Sequence, residues 1–210
     1  MKMLPLIFFS TAFICGLTGC SEQANANKTD AAAPPYNMKE VSQEEHLAKL
    51  QIKADSGNAE AQFNLGQIFM HGEGYTGVTY LRDVPKDNDR AHDLYQKAAI
   101  QGHSDAQFNF GMLYKLGLGV NANAETAFLW LQKAAAQGNS NAQYHIGMMY
   151  DEGAGTKPNL SRSSAWLALA ASQGNEKAKR HYIELDAKLT PEQRAEGQQL
   201  AAGWKKGSVI

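Results

Sequence analysis

Cysteine is almost absent: the chain holds two, Cys15 and Cys20, both within its first twenty residues. Everything after Cys20 lacks a thiol, which excludes a disulfide framework and thiolate ligation of zinc there and leaves packing as the source of stability. A surplus of either charge is also missing, with 20 Lys and Arg against 21 Asp and Glu and a formal net charge of −1. Such near-neutrality gives no electrostatic footprint for nucleic acid. The signatures of common catalytic sites are missing as well: there is no His-Glu-x-x-His, no Cys-x-x-Cys, no Gly-x-x-x-x-Gly-Lys-Ser/Thr and no Gly-x-Ser-x-Gly. The histidines, His46, His71, His92, His103, His145 and His181, stand singly along the chain, whereas a zinc site needs three or four converging ligands. Glu44-Glu45 and Asp87-Asn88-Asp89 read as helix-start charges favoured by the local dipole rather than as a paired acid and base. The expectation is a protein with no catalytic residues, no metal, no cofactor and no small-molecule substrate.

The chain opens with Lys2 and an uncharged, mostly apolar run from Met3 to Leu17, the pattern of an export signal rather than a fold element. The run falls short of the roughly 20 residues that cross a bilayer as a helix, and Pro5 and Gly16 weaken it further. It ends in Leu17-Thr18-Gly19-Cys20, which resembles the lipobox of bacterial lipoproteins. That resemblance implies a signal peptide over residues 1–19, lipidation of Cys20, and a periplasmic protein anchored in the cell envelope, at the outer membrane because Ser21 rather than Asp follows. Residues 20–43 read as a flexible tether. From Ser21 to Asn37 the composition turns to Ala, Asn, Gln, Thr and Pro, too poor in large apolar side chains to order itself. Such a tether holds a domain on the order of 20–25 Å from the lipid.

The rest is repetitive. Gly66, Gly111 and Gly147 align the segments Ala61-Gln62-Phe63-Asn64-Leu65-Gly66, Ala106-Gln107-Phe108-Asn109-Phe110-Gly111 and Ala142-Gln143-Tyr144-His145-Ile146-Gly147, offset by 45 and then 36 residues. The same offsets relate Ala54, Ala99, Ala135 and Ala171, each three residues before a glycine. The nine extra residues of the first unit, 75–83, form an insertion in one loop. Within a unit the apolar residues keep helical spacing twice, as Ala106, Phe110, Leu113 and Tyr114 and then as Ala127, Trp130, Leu131, Ala134 and Ala135. Gly117-Leu118-Gly119 separates the two helices and Gly138-Asn139 ends the second. One helix pair cannot cover its own apolar faces, so pairs must stack into an array.

The pattern Ala-Gln-x-x-Leu-Gly-x-x-Tyr-x-x-Gly-x-Gly, followed by Ala-x-x-Trp-x-x-Lys-Ala-Ala-x-Gln-Gly, resembles the Sel1-like repeat. Leu94 replaces the Trp in the first unit, and Thr156-Lys157-Pro158 with Ser163 loosens the third. The resemblance implies an all-α fold, an α/α solenoid wound as a right-handed superhelix, over residues 44–182. After Asn175 the fourth unit departs, with Ile183 where the others carry Gly, so residues 183–210 are expected to complete a capping helix pair. Thr190-Pro191-Glu192-Gln193 has the form of a capping box that opens the final helix, and Trp204 is placed to pack back on the stack.

By analogy with tetratricopeptide arrays, the first helix of each pair lines the concave face. That nominates Phe63, Phe108 and Tyr144 with Gln67, Met112 and Met148 as a partner-binding stripe, since aromatic anchors and adaptable Met side chains suit protein recognition. Packing between adjacent first helices would account for the aromatics equally well. Met70, Lys115 and Asp151 share a register but differ in kind, and the insertion adds Tyr75, Tyr80 and Arg82. The resemblance implies a protein partner: for a scaffold, an envelope protein; for an immunity protein, a secreted toxic effector such as a periplasm-acting lipase. Some members of the family are linked to β-lactam hydrolysis, but this chain lacks their repeat cysteines and any Ser-x-x-Lys, which disfavours a β-lactamase or cell-wall enzyme.

Overall fold

The computed structural model describes residues 42–77 and 79–210. The expected signal peptide 1–19, the lipidation candidate Cys20 and the tether as far as residue 41 lie outside the described residues. Among those described there are nine helices and one small hairpin: α1 Gln43–Asp55, α2 Ala59–His71, β1 Gly74–Tyr75, β2 Tyr80–Leu81, α3 Asn88–Ile100, α4 Ser104–Leu116, α5 Ala124–Ala136, α6 Ser140–Glu152, α7 Leu160–Ser172, α8 Glu176–Asp186 and α9 Pro191–Gly203. The pairs α2–α3, α4–α5 and α6–α7 are the three units, and they stack as an α/α solenoid. The first helix of a unit is termed its A helix and the second its B helix. None of the described helices is long and apolar enough to cross a membrane.

Polar residues at the loop ends start these helices. Asn58, His103, Asn139 and Asn175 precede A-type helices, and each side chain accepts the backbone N–H three residues on. Asp87, Asn123 and Asn159 do the same for B helices. Each cap satisfies one of the donors that a helix leaves free at its N-terminus, worth about 1 kcal/mol. The A helices stop where Gly72, Gly117 and Gly153 turn left-handed.

Two contacts fix how the helices nest. The first is a notch: a Cβ on Gly66 would stand 2.9 Å from the Tyr95 ring, one on Gly111 2.9 Å from Leu131 Cγ, and one on Gly147 2.8 Å from Leu167 Cγ. Each A helix therefore receives its own B helix through a missing side chain. The second is a buried glutamine clamp. Gln62 Nε2 donates to Ala54 O at 2.9 Å, Gln107 Nε2 to Ala99 O at 3.1 Å and Gln143 Nε2 to Ala135 O at 3.2 Å, each reaching the end of the preceding B helix. In turn Gln101, Gln137 and Gln173, at the C-caps of α3, α5 and α7, donate to those same carboxamide oxygens at 2.7, 2.7 and 2.6 Å. One clamp thus joins three successive helices.

The two ends of the array differ from its middle. α1 holds the register of a B helix, but His46, Lys49 and Lys53 stand where α5 carries Ala127, Trp130 and Ala134. Its inner Leu50 and Ala54 are buried while Lys49 and Lys53 face solvent, as a terminal unit with no further neighbour requires. At the other end α8 is A-like, and the expected boundary at 182/183 falls inside it. Ile183, at the notch register, is 61% exposed because no B helix seats there.

The last helix opens with the expected capping box of Thr190 and Gln193, but α8 and α9 do not close on each other as a pair. α9 packs instead on α7, with Gly197 so close that a Cβ would stand 3.0 Å from Ser161 O and from Ser164 Oγ. Ser161 Oγ donates to Glu196 at 2.7 Å. The serines Ser161, Ser163 and Ser164 are buried, so what the sequence presents as a loosened third unit includes a seat of small side chains for α9. Trp204 then lies edge-on to Trp166, centroids 6.3 Å apart, and Gly207 N–H bonds to Ala136 O at 2.7 Å.

The notch has a measurable weight. Gly147→Val puts a Cβ 2.8 Å from Leu167 Cγ and 3.3 Å from Ser163 O and adds two methyl groups to it, an overpacking that costs about 1–3 kcal/mol. We expect thermal unfolding followed by circular dichroism to shift down by about 3–10 °C. Ile183→Val, at the same register but without a B helix to meet, should leave the midpoint within about 1 °C.

Candidate functional site

The A helices present in-register rows on the side that turns away from their B helices. Their inner residues, Leu65, Ile68, Phe110, Leu113, Ile146 and Met149, are buried in the core. The outer row Phe63, Phe108 and Tyr144 is only half-buried, as are Gln67, Met112 and Met148 one turn on. In the third row Met70 and Lys115 are half-buried and Asp151 is exposed. In α8 these rows continue as exposed Arg180 and Glu184, so the apolar character ends there.

The aromatic row also packs sideways, against histidines of the next A-type helix. Phe63 stacks on His103 with centroids 4.7 Å apart, Phe108 on His145 at 5.8 Å and Tyr144 on His181 at 5.4 Å with the rings 11° from parallel. Tyr144 also tilts against His145 at 5.0 Å. These rings are therefore mortar between A helices on one side while their outer edges stay accessible. Three of the six histidines, which stand apart in the sequence, lie along this row. The signal for it was legible: His145 and His181 share one register with Asn64 and Asn109, and His103 occupies an Asn capping position, where its Nδ1 accepts Ala106 N–H at 3.2 Å and its Nε2 lies 2.8 Å from Glu60.

His145 is the most perturbed group on this face. Burial, then the positive charges of Lys115 and Lys177, push its imidazole down to about 4, so it is neutral at physiological pH. Lys115 Nζ donates to its Nδ1 at 3.2 Å. Burial, then Glu152, raises the Tyr144 phenol. A cavity of about 320 Å³ opens at this end, between Tyr144, Lys177, Arg180, His181 and Glu184.

Among its described residues the insertion forms a small hairpin. β1 and β2 are antiparallel, with Gly74 opposite Leu81 and Tyr75 opposite Tyr80. Leu81 is buried in the first core cluster, and Arg82 N–H bonds to Gln43 Oε1 at 2.9 Å, which ties the hairpin to α1. Tyr75 and Tyr80 remain 55% and 49% exposed, with the Arg82 guanidinium 5.8 Å from the Tyr80 ring centre. The structure thus brings Tyr75, Tyr80 and Arg82 together as a patch at the first-unit end of the array. Among the described residues no group of three or more His, Cys, Asp or Glu is placed to hold a metal.

A family model described as the Sel1 repeat matches residues 59–103, 104–139 and 140–175, more than half of the chain. Each match spans one A helix and its B helix. No curated protein matches the sequence to a significant degree. Among solved structures, a protective antigen present in uropathogenic Escherichia coli strains, displaying an SLR fold, is similar with a TM-score of 0.68 and 28% identity over 78% of this chain. The aligned part is 33% of that antigen, so this chain spans about a third of its length. A Sel1 repeat protein from Oxalobacter formigenes is similar with a TM-score of 0.58 and 33% identity, over 66% of this chain and 97% of that one.

The depressed imidazole makes a pH test. An unfolded His145 takes up its proton near the ordinary value of about 6.5, the folded one only near 4. Between those values the unfolded state binds the extra proton, so stability falls as pH falls. We expect His145→Asn, the residue that α2 and α4 carry in this register, to flatten the loss of stability between pH 6.5 and 4 by up to about 3 kcal/mol, read by urea unfolding at each pH.

Proposed function

Because the chain belongs to the Sel1 repeat family, whose units serve generally as protein–protein interaction modules, we propose that it is a non-catalytic binding module that holds a protein partner on the A-helix side of its array. That side is the concave one in an α/α solenoid and offers a continuous recognition surface. The observation that carries this reading is the pair of in-register rows, Phe63, Phe108 and Tyr144 beside Gln67, Met112 and Met148, which stay half-exposed across all three units. Soluble proteins do not usually leave aromatic and Met side chains in a contiguous surface patch without a use for it. Met70, Lys115 and Asp151 border the rows and differ from unit to unit, which supplies the polar individuality that a specific partner would read.

The module works from the bacterial envelope in this reading. Its support is the segment Leu17-Thr18-Gly19-Cys20, with Cys20 as the lipid attachment and the residues after it as a tether. The partner is then a resident envelope protein or a secreted effector that reaches the same compartment.

Immobilised full chain, exposed to an envelope extract, tests the surface directly. Met112→Glu and Met148→Glu each place a charge where an apolar contact is buried on binding, and each should reduce capture of the specific partner more than about tenfold. Leu129→Glu, on a B helix and already 58% exposed, should leave capture unchanged. Equal capture by all three variants would remove the A-helix face from the account, and the captured protein's own compartment separates the two partner classes.

A further inference from the structure

Residues 191–210, which are α9 and the tail after it, are attached to the array unlike any other part of the molecule. Gly197 is the one buried residue of α9, whereas α7 beneath it buries residues along its whole length, from Ser161 to Ala170. Beyond the helix, Trp204 and Ile210 pack against the second core cluster and are only partly buried. Polar contacts do much of the holding. Ser161 Oγ donates to Glu196 at 2.7 Å, Arg194 donates through Nε to Asp186 Oδ1 at 2.8 Å and through Nη2 to Asp186 O at 2.7 Å, and Gly207 N–H reaches Ala136 O at 2.7 Å. These contacts sit at the start, the middle and the far end of the segment, so it cannot loosen by fraying from its last residue alone.

The segment also carries its own local structure. The capping box of Thr190 and Gln193 closes the start of α9. After the helix, Trp204 Nε1 donates to Ser208 O at 3.0 Å and Lys205 N–H to Ser208 Oγ at 3.2 Å. None of these bonds needs the array. Immediately before the helix, Leu189 is buried in the third core cluster with Leu167 and Leu185, which pins the chain at the point where α9 departs.

What α9 covers is a face that the other units leave open. Ser161 and Ala165 on α7 hold the register of Glu125 and Leu129 on α5 and of Asp89 and Asp93 on α3, and all four of those side chains are exposed. A B helix therefore keeps its place in the stack without a cover. On α7 the covered face is built from Ser161, Ser164 and Ala165, small groups of which two are hydroxyls that water can satisfy. Trp166 is the large exception. It is fully buried, edge-on to Trp204, and its Nε1 has no hydrogen-bond partner, whereas Trp130 at the same register of α5 is only half-buried. A buried indole N–H left without an acceptor lowers the cost of letting water in.

We propose that residues 191–210 are a strap that releases from the array as one unit, hinged at Leu189, while the three repeats stay folded, and that its release uncovers Trp166 and the outer face of α7. The closed strap hides on the third unit a B-helix face that the first two units display. The molecule thus has two surface states on its B-helix side, and the A-helix face is the same in both.

Native-state hydrogen exchange of the isotope-labelled full chain, followed by nuclear magnetic resonance at low urea concentrations, tests this. The amides of α9 should share one protection level, about a hundredfold below that of Ile146 and Met149 in α6. The Trp166 indole N–H should exchange with the strap and not with the core. Ser161→Ala, which removes one latch to a carboxylate, should lower the protection of α9 about tenfold and leave Ile146 unchanged. Gly197→Val, whose Cβ stands 3.0 Å from Ser161 O, should free the strap outright, with Ile146 and Met149 still protected. The proposal is overturned by α9 amides as protected as those of α6, or by protection that declines residue by residue toward the end of the chain. Exchange of the Trp166 indole at the core's rate overturns it too, as does loss of α6 protection in both variants.

Discussion

The array depends on one buried side chain per unit, a glutamine amide that bonds in two directions. In a helical repeat the apolar core is interchangeable along the axis, so burial alone cannot say how far one pair slides against the next. A carboxamide in that core can. Left unpaired it would cost about 1–3 kcal/mol, and it is satisfied only when the preceding B helix ends at the right height and its own B helix ends beside it. Gln62, Gln107 and Gln143 all meet that condition. The clamp sets register, and the glycine notch beneath it sets distance.

Register is also what makes a surface. Because each A helix is held at the same height relative to its neighbour, the rings of Phe63, Phe108 and Tyr144 come into line, and the histidines of the following helices can stack on them. The ends follow from the same rule by omission. α1 ends in Ser56 at the position of the capping glutamines, and α8 has exposed Lys179 where the buried glutamines stand. With nothing left to clamp, the chain after α8 is free to turn back, and α9 settles on the small side chains of α7. The insertion lengthens a single loop and leaves the clamps on either side of it intact.

Much of this was legible in the sequence. Gly66, Gly111 and Gly147 in phase, with alanines and helical spacing around them, specify stacked helix pairs, because only such an arrangement needs a missing side chain at that interval. The repeated Ala-Gln and Gln-Gly pairs were visible too, but their meaning was not. A polar residue at a core position looks like surface until its two partners, far apart in the chain, are brought beside it. The aromatic row was visible as a row, and two of its histidine partners, His145 and His181, share a register, whereas the third, His103, stands at a capping position and joins them only through the fold. The course of α9 was the least legible part. Its seat is a cluster of serines that a periodic reading takes as decay of the repeat, and the close approach of Gly197 is a tertiary fact with no local signature.

The central claim concerns the clamps, and hydrogen exchange of the glutamine side chains tests it most directly. In deuterated buffer the carboxamide protons of Gln107 and Gln143, buried and doubly bonded, should persist for hours, protected as strongly as the core backbone amides, while those of Gln67 and Gln199 should be gone within the first spectrum. Rapid exchange at Gln107 and Gln143 in the folded protein would contradict the account, since a side chain that water reaches so easily cannot set the register of the stack.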